Sequence, residues 1–169
     1  TNIEWTDCTW PVIRGCSKVS DGCKFCWAIR DAHLHAGNKN PKMRAHFEGL
    51  PEIENGRPNW TGVVRLDESI LDWPLKWKKP RRCFAASSGD LFHENLPFEA
   101  IDRVFAVMEV TRHITYQVLT KRAGRMREYV SNHWRRAGSL LKEQGRRPLD
   151  NVHLGVSIEN RDTKHRIEA

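Results

Sequence analysis

Five times along this chain a short apolar run stops in a cluster of polar residues, and a helix-like stretch follows. Trp10 to Arg14 runs into a cysteine loop, and Val63 to Leu66 runs into Asp67-Glu68-Ser69. Cys83 to Ala86 meets Ser87-Ser88-Gly89-Asp90, Thr115 to Leu119 meets Thr120-Lys121-Arg122, and Asn151 to Val156 meets Ser157-Ile158-Glu159-Asn160. This alternation predicts parallel strands joined by helical crossovers, an α/β fold. In parallel α/β folds ligands sit at the carboxyl ends of strands, so the polar clusters are expected to converge on one face. Taken singly, each cluster also suits an ordinary turn or helix cap.

The helical stretches are placed by their periodicity. Pro97 starts one helix, whose Ile101, Val104, Phe105 and Met108 fall at i, i+3, i+4 and i+7, a single apolar face. Another follows Arg122 with Met126, Tyr129, Val130 and Trp134 inward, and Trp27 to about His35 makes a third. Asp67-Glu68-Ser69 opens a helix that Pro74 bends or restarts. Residues 38–60, with Gly37 just before them and Pro41, Gly49, Pro51, Gly56 and Pro58 among them, read as an irregular insertion. The 169 residues, 39% hydrophobic with seven Trp and six Phe, suffice for one domain with a true core spanning 1–169. No apolar run approaches the ~20 residues of a membrane span, and no signal peptide is visible, so a soluble cytoplasmic chain with no membrane partner is expected.

The loop over 15–27 holds three of the five cysteines, Cys16, Cys23 and Cys26, spaced C-x6-C-x2-C. Structural zinc takes four protein ligands, and a [4Fe-4S] cluster takes one thiolate per iron, so a trio leaves one position open. Gly15 and Gly22 stand immediately before two of the cysteines and let the backbone wrap a bulky inorganic core. The intervening Ser, Lys and Asp describe an exposed loop, where idle thiols are a liability. Cys8 and Cys83, in apolar surroundings, read as core residues, and Trp5 and Asp7 as braces for the cysteine loop. His93 and Glu94 form either an acid–base pair or the start of a helix with a solvated histidine.

The formal net charge of +7 is uneven. Nine Lys/Arg lie between Lys121 and Arg147 against Glu128 and Glu143 alone, and Lys76, Lys78, Lys79, Arg81 and Arg82 lie beside Trp73 and Trp77 with no acid among them. Basic clusters interleaved with tryptophan track phosphates and stack bases, although each also reads as a solvated surface. Nucleic acid is therefore an expected partner.

The cysteine trio at the end of the first strand, with Phe25 just before the last thiol, resembles the radical S-adenosylmethionine superfamily. Glu4-Trp5-Thr6-Asp7, Gly15 to Ser20, Asp90-Leu91-Phe92-His93-Glu94, Gln117 to Arg122 and Leu154 to Asn160 are similar to a phage- and prophage-associated family of three-cysteine-motif proteins. Two departures stand out: the superfamily's usual first gap is three residues and here it is six, and Trp27 takes the place of a tyrosine. The resemblance implies a [4Fe-4S] cluster on Cys16, Cys23 and Cys26, whose fourth iron is left for S-adenosylmethionine. It also implies an external electron donor and hydrogen abstraction from a substrate, with nucleic-acid modification or repair as the expected setting. In that scheme Phe25 packs near the adenine, and Ser87, Ser88 or Asp90 bind ribose hydroxyls. Lys121 or Arg122 pairs with the methionine carboxylate, Ser157, Glu159 and Asn160 line the far side, and Asp90, His93 and Glu94 are the candidates for catalysis.

Two alternatives remain open at this point. One is a zinc site of the three cysteines with His33 or His35, in a nucleic-acid-binding module. The other is a cluster-bearing protein that serves a partner without catalysing anything. The fold expected is a partial (β/α) barrel of parallel strands. A full barrel takes about 200–250 residues, so five units and a barely begun last helix lead us to expect a chain truncated at its C-terminus.

Overall fold

A computed structural model describes residues 3–133 and 149–168. Its centre is a four-stranded parallel sheet in the order β1 (Cys8–Trp10), β6 (Arg81–Ala85), β7 (Ile114–Thr120), β8 (Val152–Val156). The strands lie side by side in the order in which they occur in the chain. The expected parallel α/β arrangement is thus present with four of the five anticipated strands.

The fifth is the exception. Val63 to Leu66 contributes only β5 (Arg65–Leu66), which pairs antiparallel with β2 (Ile13–Arg14) outside the main sheet. Pro11 separates β1 from β2 and supplies no N–H for a ladder. The first apolar run is therefore broken into two short strands with different partners. Beyond β2 the chain reaches Gly15, which bridges in parallel to Gly89 at the end of β6. Gly15 has φ +85, and a Cβ there would stand 2.1 Å from the Val63 carbonyl oxygen, so both conformation and space require glycine.

The insertion is more regular than its composition predicts. It contains α2 (Pro41–Ala45), capped by the Asn40 side chain, and a hairpin of β3 (Pro51–Glu54) and β4 (Arg57–Trp60). Asn55 and Gly56 turn the hairpin with φ of 50 and 74, the left-handed pair that a two-residue turn demands. This unit packs on α1 (Trp27–Ala36) through a second core of Ala28, Ile29, Ala32, Phe47, Leu50 and Trp60, with Cys16 and Cys26 against it. Asp67 ties the insertion to the strand that leads into the cysteines, accepting from Arg14 Nε (3.0 Å) and pairing with His46 Nδ1 (2.6 Å) through one oxygen. Burial pushes the Asp67 carboxyl up, but Ser69, Arg14 and His46 outweigh it and hold the group below the usual range.

The main core lies on one face of the sheet. Helix α3 (Phe98–Val110) begins after Pro97 and buries Ile101, Val104, Phe105 and Met108, the four residues its periodicity points inward. They pack with Trp10, Cys83, Tyr116 and Val118 of the strands. Burying each such apolar side chain contributes roughly 1.5–3 kcal/mol. Helix α4 (Ala123–Glu128) continues into a wider turn over Tyr129–His133, and Met126, Tyr129 and Val130 face the core; Trp134 lies outside the described residues. Along β7, Tyr116 and Val118 are buried while Thr115, Gln117 and Leu119 on the other face are not, so the helices cover only one side. The stretch after Leu66 holds two short turns of 3-10 helix, Glu68–Ile70 and Trp73–Lys76, in place of the expected helix. Pro74 lies inside the second. The last helix is likewise a 3-10 segment, Arg161–Ile167.

Cys83 is fully buried in β6 and is the register partner of the partly buried Cys8. Asp7 does not brace the cysteine loop. It accepts from the Arg82 backbone N–H (2.7 Å) and pairs with its guanidinium (3.1 Å), locking the amino ends of β1 and β6. Trp5 packs edge-on against Phe84 at 5.0 Å.

Among the described residues no helix is long and apolar enough to cross a membrane.

Candidate functional site

At the carboxyl end of the parallel strands the clusters after β6, β7 and β8 converge with the cysteine loop, whereas Asp67-Glu68-Ser69, which follows β5 outside the main sheet, does not join them. A pocket of about 350 Å3 is lined by Cys16, Cys23 and Cys26 of the loop, Ser87 to Asp90 after β6, Thr120 to Arg122 after β7, and Ser157 after β8. Phe25, Trp27, Trp60, Phe84 and Leu119 supply its apolar wall. Ala86, with φ 58, turns the chain sharply at the end of β6 and presents the two serines that follow.

Arg122 is the hub of this site. Its Nε donates to Glu94 Oε2 (2.7 Å), Nη1 to Asp90 Oδ2 (3.1 Å) and Cys16 Sγ (3.6 Å), and Nη2 to Ser17 Oγ (2.7 Å) and the Ser17 carbonyl (3.3 Å). A guanidinium has five N–H donors, and all five are used. Asp90 is equally occupied. Its oxygens accept from the Phe92 N–H (3.0 Å), Thr120 Oγ1 (2.6 Å), the Lys121 N–H (3.2 Å) and Arg122. These two residues, expected on a bound carboxylate and a ribose, instead tie the cysteine loop to the ends of β6 and β7.

His93 is buried and does not form a solvated helix start. Its Nδ1 accepts the Asn95 N–H (3.1 Å), so Nε2 carries the proton and donates to Ser17 Oγ (2.8 Å). Burial and the nearby Arg122 charge hold its pKa below the ordinary value, which favours the neutral ring. Glu94 sits half in solvent; burial works against its ionisation, but its own backbone N–H and Arg122 more than offset this. His93 and Glu94 thus both support Arg122 and Ser17.

Glu159, expected on the far side, does not line the pocket; from behind Gly22 it pairs with Lys121, accepts from Ser20 Oγ (2.8 Å) and pairs with Arg166 (3.2 Å). Lys121 Nζ also lies 3.5 Å from Cys23 Sγ. Asn160 caps the 3-10 segment by accepting the Thr163 N–H (3.1 Å) and does not line the pocket. Phe25 lines the pocket yet is 82% exposed, which puts it at the mouth.

Among the described residues, Ser87, Ser88 and Ser157 have hydroxyls with no partner. The groups left for a ligand are therefore three hydroxyls, three thiols and the third N–H of Lys121, since the other charged side chains are engaged with one another. Burial raises the Cys16 thiol to about 11 despite Arg122. Burial also acts on Cys23, but backbone N–H groups of Val19 and Ser20 and the Lys121 charge outweigh it and leave that thiol below its ordinary value.

Among the described residues no three His, Cys, Asp or Glu side chains form a group that could hold a metal ion. A single zinc needs its sulfurs within about 2.3 Å of one point, and the tetrahedral site of the zinc alternative is not assembled here. Neither His33 nor His35 lines the pocket, and His35 pairs with Asp31 (3.5 Å). Three thiols around a shared cavity, with Lys121 beside Cys23 and Arg122 beside Cys16 to offset the charge of bound thiolates, do suit an inorganic cluster that brings its own irons to the sulfurs.

A family model described as Protein of unknown function (DUF5131) matches residues 1–169. The chain belongs to that family. No curated protein and no solved structure matches it. In this DUF5131 member the loop bonds among Ser17, Asp90 and Arg122 were beyond sequence reasoning, and Trp60 was missed as a wall residue because it lies in the insertion.

Proposed function

We propose that this chain is a radical S-adenosylmethionine enzyme built on a partial (β/α) barrel, with a [4Fe-4S] cluster on Cys16, Cys23 and Cys26 and S-adenosylmethionine beside it. The observation that carries the reading is the meeting, in one pocket, of three thiols with unpartnered hydroxyls from the ends of β6 and β8. Three thiolates satisfy three irons of a cubane and leave one for an exchangeable ligand. The parallel strands, neighbours in chain order, support a singly wound barrel rather than a doubly wound sheet.

When bound, the cluster and S-adenosylmethionine would supply radical chemistry through one-electron cleavage of the sulfonium, with methionine as the leaving group and an external donor as the source of the electron. The protein's part is positioning and exclusion of water. Ser87 and Ser88 offer hydroxyls to a ribose diol, with Ser157 across the pocket, and Trp60, Phe84 and Leu119 form a dry wall for a purine. Lys121 offers its remaining N–H to a carboxylate. Arg122 steadies the Cys16 loop and does not itself reach for the ligand.

The test is anaerobic iron–sulfide reconstitution followed by reductant and S-adenosylmethionine, with Cys23→Ala as control. About four irons per chain and 5′-deoxyadenosine, both lost in the control, are expected. Iron without deoxyadenosine favours the non-catalytic cluster protein, and a colourless protein with one zinc overturns the reading.

A further inference from the structure

We infer that the rim formed by the cysteine loop and the outer face of α1 binds single-stranded nucleic acid, presenting one nucleotide to the pocket; this rests on the proposed function and names its substrate class. The two aromatic rings at the pocket mouth are out in solvent, Phe25 at 82% and Trp27 at 56% exposure. Rings of that size normally gain by burial, and two that line the same cavity yet stay exposed are an unfilled contact surface. Lys24 Nζ lies over the Phe25 ring at 5.8 Å.

The segment that carries these rings is basic. Residues 17–46 carry six Lys/Arg, namely Lys18, Lys24, Arg30, Lys39, Lys42 and Arg44, against Asp21 and Asp31, and all six are exposed. Lys18 follows the pocket residue Ser17, and Lys24 lies between Cys23 and Phe25. Ala28, Ile29 and Ala32 turn inward on α1, so Trp27 and Arg30, one turn apart, share the outward face. Exposed rings among cations are the platform on which unpaired bases stack while phosphates are tracked, and they favour a single strand because duplex bases offer no free faces.

The Lys76 to Arg82 cluster apparent in the sequence does not make this surface. It precedes and opens β6, at the other end of that strand from Ser88. Within it Lys76 pairs with Asp72 (2.7 Å), Arg82 pairs with Asp7, and Arg81 lies over the Trp77 ring at 5.1 Å. In the other cluster Arg125 donates to the Leu96 carbonyl (2.8 Å), and Arg135, Arg136, Lys142, Arg146 and Arg147 lie outside the described residues.

The experiment titrates the cofactor-free protein into fluorescein-labelled 12-nucleotide DNA and RNA single strands and follows anisotropy between 50 and 200 mM salt. Because neither cluster nor S-adenosylmethionine is present, its failure is separable from failure of the deoxyadenosine assay. Phe25→Ala and Trp27→Ala are each expected to weaken binding about tenfold. Combined Lys18→Gln, Lys24→Gln and Arg30→Gln should lower the salt slope by about two. Lys76→Gln, Lys78→Gln and Lys79→Gln together should change binding less than twofold, with circular dichroism checking that every variant is folded. The proposal is overturned by absence of binding, by equal affinity for a 12-base-pair duplex or for phosphatidylserine vesicles, or by loss that follows the Lys76 set.

Discussion

Gly22 and the Glu159 carboxylate are packed so closely that a Cβ on Gly22 would stand 2.5 Å from Glu159 Cδ. Glu159 cannot simply step aside, since Lys121, Ser20 and Arg166 hold it. Gly22→Ala is expected to destabilise the protein by about 1–3 kcal/mol in urea unfolding. The same substitution in a Glu159→Ala background should cost less than half as much. Equal costs in the two backgrounds would show that the contact does not fix the loop.

Arg122→Met removes the charged partner of the buried Asp90 carboxylate and leaves its three neutral donors. An unpaired buried charge costs about 3–5 kcal/mol. Adding Asp90→Asn should return a substantial part of the loss, which denaturation midpoints of the single and double variants measure. A loss of under 1 kcal/mol in the single variant would mean that solvent reaches Asp90.

Two glycines with similar backbone angles should respond differently to alanine. Gly15 has φ +85 and would set a Cβ 2.1 Å from a carbonyl oxygen, whereas Gly56 has φ +74 with nothing within 4 Å. Gly56→Ala should cost only the strain of a left-handed residue, about 1 kcal/mol. Gly15→Ala adds a backbone clash, and soluble yield should collapse. Comparable melting temperatures for the two variants would contradict this.

Stability should fall at alkaline pH because of Cys16. Its thiol ionises at about 11 in the fold against an ordinary 9.0, chiefly through burial. The folded state thus holds the proton more tightly than the unfolded chain, so this contribution is intact below pH 9 and is lost as pH climbs to about 11. The cofactor-free protein should lose on the order of 1 kcal/mol more than Cys16→Ser across that window, allowing for solvent screening. Parallel pH profiles of the two proteins in urea would refute the assignment.

Legibility in the sequence followed the range of the interactions. Helix α3 was visible because Pro97 and the spacing of Ile101, Val104, Phe105 and Met108 are local facts. The ends of β6, β7 and β8 were visible because apolar runs stop there. The hairpin was obscured by Pro51 and Pro58 in its strands, although Asn55-Gly56 marked the turn; two-stranded pairing leaves edge positions where proline is tolerated. Pro11 hid the division of the first run between two sheets. The duties of Asp90 and Arg122 were out of reach, because only folding brings Thr120 and Lys121 to a carboxylate thirty residues earlier.

Ser17 meets Arg122 across 105 residues and Ser20 meets Glu159 across 139. Contacts this distant form only after most of the chain has left the ribosome, where synthesis proceeds at about 5–20 residues per second. For several seconds, then, Cys16, Cys23 and Cys26 have been made while the residues that will shield them have not. Their oxidation is a hazard of biosynthesis, and the loop that carries them is fixed only once Glu159 has closed against Gly22.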